Sequence, residues 1–208
     1  MFHNNRLSVF VFLFFSQMAF SQNADINLLK HMNINRNKNL DRTAMLFSES
    51  VAPLSIGIPA LMYLKGSLQK DKTLKRNALV TGSSFVLAVG SGYVIKEMVK
   101  RQRPYLTYSE IELYGPKESG FSFPSNHTSS SFSTATSLSI LYPKWYVIVP
   151  AYTWASSVAY SRMHIGVHYP SDVLAGAALG AGSAWACYYL NKKLFSRTKK
   201  HEHYNPSF

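Results

Sequence analysis

The chain has 208 residues, 47% of them hydrophobic, and a formal net charge of +12, which fits one domain or one compact membrane bundle. The charge invites a nucleic-acid reading, but the basic residues fall in short clusters between apolar segments with no stacking aromatics interleaved, so nucleic acid is excluded as a partner. The single cysteine, Cys187, lies in an apolar run, which excludes a disulfide framework and a cysteine-based zinc site.

Residues 1–21 begin with a short basic segment, His3 to Arg6, followed by the apolar run Leu7 to Phe15 and the small-x-small pattern Ala19-Phe20-Ser21. This reads as a secretory signal peptide cut after Ser21, with an uncleaved first membrane helix as the competing reading. Residues 22–49 are polar and Asn-rich, without clear periodicity, and are expected to form an extracytoplasmic arm with some amphipathic helix. From residue 50 to 190 apolar segments come at short intervals: Val51 to Leu64, Ala78 to Ile95, Thr128 to Tyr142, Trp145 to Tyr160 and Val173 to Leu190. Their spacing predicts an all-α bundle of about five to six helices. Several segments are shorter than the ~20 residues of a usual span, so a soluble helical domain stays open beside the membrane bundle.

Charge between the segments orders them. Lys65, Lys70, Lys72, Lys75 and Arg76 surround the first connection, Lys144 lies in a later one, and Lys192, Lys193, Arg197, Lys199 and Lys200 fill the basic tail at 191–208. If these alternate connections are cytoplasmic, the excess of positive charge on that side is met and the remaining loops face outward. Gly176 and Gly180 have the spacing that lets helices approach closely. The hydroxyls from Ser129 to Thr136 are expected at helix contacts or in a wet cavity.

Three outward-facing stretches carry chemistry. Lys96 and Arg103 are seven residues apart, about two helical turns, and Pro104 disfavours helix at Arg103. Pro124-Ser125-Asn126-His127 reads as a helix start with free backbone N–H groups, a ready anion site. In Ser161-Arg162-x5-His168-x3-Asp172, the carboxylate follows the histidine by four residues. It can accept the Nδ1 proton and leave Nε2 free as a nucleophile or base. Each stretch alone fits a structural role, a cap or a local hydrogen bond; the three in order narrow the choice.

Together these stretches resemble the tripartite signature of the type 2 phosphatidic acid phosphatase and vanadium haloperoxidase superfamily, over about residues 50–190. The resemblance implies that Lys96, Arg103 and Arg162 hold a phosphoryl group, with Ser125 and the Asn126 amide as neutral donors. It further implies that His168 attacks phosphorus, that Asp172 fixes its tautomer and that His127 serves the leaving oxygen, without a metal or cofactor. One position departs: the family usually has Gly where this chain has Asn126. His164, one helical turn before His168, matches no family position and is expected only as a neighbour of the pocket. The implied function is a phosphatase of membrane lipids, such as phosphatidic acid, phosphatidylglycerophosphate or polyprenyl diphosphate, in a bacterial-type inner membrane with its site facing the periplasm or exterior. A soluble periplasmic acid phosphatase with the same catalytic set is the alternative. A lipid-phosphate-binding scaffold and the superfamily's haloperoxidase branch are further readings.

Overall fold

The computed structural model describes residues 23–202, and the expected signal peptide lies outside them. Among the described residues the chain is all-α. The arm forms a helix over 23–34 (α1), a short 3-10 turn Lys38–Leu40 and α2 Asp41–Glu49. The bundle follows as α3 Val51–Leu68, α4 Lys72–Val99, the short α5 Pro104–Thr107, α6 Asn126–Leu141, α7 Trp145–His164 and α8 Pro170–Glu202.

Local chemistry sets these boundaries. The Asp71 side chain caps α4 by accepting from the Thr73 and Leu74 amides, and Lys100, left-handed at φ 51°, ends that helix. Pro104 opens α5 at its first turn. Ser125, not Pro124, is the N-cap of α6, its hydroxyl accepting from the Thr128 amide. Pro170 opens α8, as its Pro-Ser signal predicts.

Packing makes α6 the centre of the bundle, in contact with α3, α4, α7 and α8. That position explains its composition. At 16 residues α6 is short for a lipid-exposed span, but small polar side chains let neighbours close in around it. Several of its hydroxyls bond back to its own backbone: Ser131 donates to Thr128 O, and Ser133 and Thr134 donate to Ser130 O. On the facing helix, a Cβ at Gly176 would lie 2.6 Å from Ser125 O, and one at Gly180 would lie 2.9 Å from Ser133 N. The Gly-x3-Gly spacing therefore marks a real close approach, between α8 and α6.

Three helical stretches, Lys38–Leu68, Lys72–Thr107 and Pro170–Leu194, are long and apolar enough to cross a membrane. Their outward faces leave Leu61, Leu79, Val86, Val94, Leu174 and Trp185 exposed, too continuous an apolar surface for water. Contacts of Ser125 with Asp172, Ser122 with Arg101 and Arg103 with Val167 bring the C-terminal ends of α4 and α7 and the N-terminal ends of α6 and α8 together at one end of the bundle. The connections 69–71 and 142–144 and the C-terminal part of α8 lie at the other.

Candidate active site

The three sequence stretches converge at that end. Lys96 lies in the last turn of α4, with its Nζ donating to Phe121 O at 2.6 Å and Ser122 O at 3.1 Å. Arg103 is the N-cap residue of α5, in extended conformation as its neighbour Pro104 requires. Its guanidinium donates to Gly120 O, Ser119 O and Val167 O, which fixes it across the floor of the site. Arg162 comes from the last turn of α7 and His127 from the first turn of α6. The tight turn at 165–169 that carries His168 depends on Gly166 at φ 80°, where a Cβ would also meet Glu112 O at 2.6 Å.

A cavity of about 460 Å³ is lined by Lys96, Arg103, Asn126, His127 and His168, with Tyr93, Glu97 and the loop 117–121 completing its wall. His168 is buried, with Nδ1 3.3 Å from Asp172 Oδ2 and Nε2 3.4 Å from Arg103 Nη1. Asp172 is fully buried, and its Oδ2 also accepts from Ser122 Oγ at 2.5 Å and from the Tyr169 amide at 3.0 Å. A carboxylate held in that way keeps the proton on Nδ1 and leaves Nε2 as the lone-pair nitrogen. Burial pushes the His168 imidazole down to about 4, outweighing the opposite pull of Asp172. The ring is thus neutral at ordinary pH, as a nucleophile requires.

Ser125 takes a different place from the one the family pattern implies. It is fully buried and does not line the cavity; its hydroxyl accepts from Thr128 Oγ1 at 3.0 Å, and its amide donates to Asp172 O at 3.0 Å. It ties the α6 start to the backbone of Asp172. Asn126 does line the cavity, and Gly92 on α4 provides its room, since a Cβ there would collide with Asn126 Oδ1. Bulk added on α6 is matched by bulk missing on α4. His164 stands apart from the cavity: fully buried, its Nε2 lies 2.8 Å from Asp41 Oδ1 and pins α2 to α7.

Sequence reasoning missed two groups. The first is Glu118, whose carboxylate bridges two of the expected phosphate-binding cations, at 2.9 Å from Arg103 Nη1 and in direct contact with Arg162 Nη2. Burial alone would raise this carboxyl, but the two guanidiniums hold it down to about 2. The only signal was its place in the loop before Pro124-Ser125-Asn126-His127, where residue type does not fix geometry. The second is the arm, whose Asp25 bonds to Arg101 and to Ser171 beside Asp172. A further groove, lined by Val51, Ala52, Phe85, Val89 and Tyr93, runs between α3, α4 and α6 to Asn126 and His127. A larger apolar groove of about 750 Å³ lies between α2 and α7 and includes none of these catalytic residues.

Known proteins resemble this chain in sequence and fold. A lipid A 4'-phosphatase from Bacteroides thetaiotaomicron is 37% identical over 108 residues, 50% of this chain and 48% of that protein. An undecaprenyl-diphosphatase from Sulfolobus acidocaldarius is 38% identical over 98 residues, 47% of each chain. The chain thus spans about half the length of these curated relatives. Among solved structures, a transmembrane PAP2-type phosphatidylglycerolphosphate phosphatase from Bacillus subtilis superposes with a TM-score of 0.66 at 26% identity, covering 89% of this chain and 96% of that one. With three helical stretches fit to span and this transmembrane fold, the chain is a membrane protein. The family model for the PAP2 superfamily matches residues 77–196, more than half of the chain, and with its three motifs converging on one cavity the chain belongs to that superfamily.

Proposed function

We propose that this protein is a metal-independent phosphatase of membrane lipids, hydrolysing a phosphomonoester or diphosphate group through a phosphohistidine at the outer face of the membrane. The observation that carries the reading is the convergence of Lys96, Arg103, His127 and the Asp172-oriented His168 on one cavity, with Arg162 in an adjoining pocket that shares Glu118 and His127 with it. As the bond to phosphorus breaks, negative charge grows on the equatorial and leaving oxygens, so fixed cations supply most of the catalysis. The guanidiniums offer bidentate donors, Lys96 a point charge. The buried Nε of Arg162, without an acceptor among the described residues, would be satisfied by a phosphoryl oxygen once Glu118 yields.

In the first step His168 Nε2 bonds to phosphorus while the P–O bond to the lipid breaks, and His127 gives its proton to the leaving oxygen. In the second, His127 takes a proton from water, the hydroxide displaces His168, and the P–N bond breaks to release inorganic phosphate. Asp172 holds the Nδ1 proton throughout and stabilises the charged ring. The groove at Val51, Phe85, Val89 and Tyr93 suits the hydrocarbon chain, since it reaches the cavity from the lipid-facing side of α3 and α4. Lipid phosphates or diphosphates are also the substrates in the names of the relatives. The outward orientation rests on the basic residues at the opposite end of the bundle.

Phosphate release from a panel of lipid phosphates and one soluble phosphomonoester, in detergent with chelator present, tests this reading. Wild type is expected to turn over a lipid, and His168→Ala to lose at least ~10³-fold in kcat. Equal activity of the two proteins, or activity that disappears with chelator, would overturn the mechanism. Activity confined to the soluble ester would overturn the substrate class.

A further inference from the structure

Asp172 has two carboxylate oxygens, and the catalytic reading uses only Oδ2. Its other oxygen, Oδ1, accepts from Arg101 Nη1 at 2.8 Å. The same guanidinium donates through Nη2 to Asp25 Oδ2 of the arm at 2.6 Å and lies 3.7 Å from the centre of the Tyr169 ring. Asp25 in turn accepts from the Ser171 amide at 2.8 Å and the Ser171 hydroxyl at 2.5 Å. Arg101 does not line the cavity. Its charge is turned entirely toward the back of the catalytic pair.

Resting on the function proposed above, we propose that Arg101 is a positioning residue for the reaction, and that the N-terminal arm completes the site by holding Arg101 through Asp25. The sequence His168, Asp172, Arg101, Asp25 then forms one alternating chain of ring, carboxylate, guanidinium and carboxylate. Its physical task follows from burial. Asp172 is fully buried, and a buried carboxylate is stable only with its charge compensated and its lone pairs filled. The Oδ2 side is filled by Ser122, Tyr169 and His168, all uncharged in the resting enzyme. Among the described residues, Arg101 supplies the one positive charge bonded to Asp172 outside the His168 ring, and the bond that stops its carboxylate from rotating. Because Arg101 has five N–H donors in a planar fork, it spans both carboxylates at once, which Lys could not. Asp25 does double duty, also capping the free Ser171 amide in the first turn of α8, where a carboxylate is favoured by the helix dipole. The carboxylate that orients the nucleophile and the helix that carries it are thus fixed by one arm residue.

The experiment uses the full chain in detergent, with wild type, Arg101→Ala, Arg101→Lys, Asp25→Asn and His168→Ala. Turnover of a lipid phosphate is measured beside inhibition by inorganic vanadate, which reports anion binding in the cavity. Arg101→Ala is expected to lower kcat by roughly 10²-fold, the cost of a misplaced catalytic group, with vanadate inhibition unchanged. Arg101→Lys recovers part of that loss, and Asp25→Asn loses less than Arg101→Ala. ¹⁵N-histidine spectra, with the His168 signal identified by its loss in His168→Ala, read the tautomer independently of turnover. Wild type is expected to show a single Nδ1-protonated species and Arg101→Ala a mixture. A wild-type-like kcat in Arg101→Ala overturns the proposal, as does a loss matched by weaker vanadate inhibition, or an unchanged His168 spectrum. If wild type itself releases no phosphate, the proposed function fails, while the spectra still decide whether Arg101 sets the state of His168.

Discussion

With Glu118 seated between Arg103 and Arg162, the guanidiniums that a phosphoryl group needs already hold an anion. An incoming phosphate has to exchange with that carboxylate, so part of its binding energy is spent on displacing the protein's own ligand. Replacing the carboxylate by an amide removes the competing charge and keeps the shape. Glu118→Gln is therefore expected to tighten inhibition by inorganic phosphate or vanadate roughly tenfold, about 1.4 kcal/mol, measured as the inhibition constant in the turnover assay; an unchanged constant would show that the carboxylate does not compete. At this scale the sequence was informative where spacing constrains geometry. His168 and Asp172 are neighbours because four residues separate them across a helix start, and Arg103 is extended because Pro104 follows it. Glu118 and Asp25 were illegible for the complementary reason: each reaches its partners through tertiary contacts across irregular or remote chain, 44 residues for Glu118 to Arg162 and 146 for Asp25 to Ser171. Ser125 shows a third case, since a motif position expected to touch phosphate serves as a buried helix cap in the structure.

Among the elements, α6 and α8 form the contact that sets the distance between His127 and His168. Their closeness comes from glycine on one side and hydroxyl side chains on the other, so a single methyl group is felt. Gly180→Ala would push against the Ser129 and Ser133 backbone, which cannot yield as a flexible side chain would. A loss of about 1–3 kcal/mol is expected, read as a lower unfolding midpoint in detergent. Gly182→Ala on the same helix meets nothing within 4 Å and gains helix propensity, so its midpoint is expected to hold or rise by up to ~1 kcal/mol; equal effects of the two would refute the packing argument. The apolar segments predicted these helices well, and α4, α6 and α8 each start at a cap or a proline. The central placement of α6 was harder to read. Its Ser and Thr residues were expected at helix contacts or in a wet cavity, but composition did not say that four helices would surround them, with several hydroxyls bonded back to the helix's own carbonyls.

For the whole molecule, the alternation of helices separates the cationic site from the Lys and Arg residues at the far end. If that far end is cytoplasmic, single cysteines placed in a Cys187→Ser background report it. Ser109→Cys, exposed in the loop before α6, is expected to react with a membrane-impermeant maleimide in intact cells, and Gln69→Cys, exposed between α3 and α4, only after the cells are opened. The reverse pattern would invert the orientation proposed for the site. The basic connections suggested the proposed orientation from sequence, whereas the arm's docking had no such signal, because a polar Asn-rich segment without periodicity gives no hint of what it will pack against.

The contact of Asp25 with Ser171 has a further consequence for biosynthesis. The arm leaves the ribosome well before the start of α8. Their meeting closes a loop of 146 residues, which cannot form until every intervening helix has been inserted with the right sidedness. The catalytic corner is therefore assembled only at the end of insertion. A chain stalled or inverted part-way leaves Arg101 without its second carboxylate and His168 without its orienting partner. Such a chain would be expected to turn over lipid phosphate far more slowly than the finished fold.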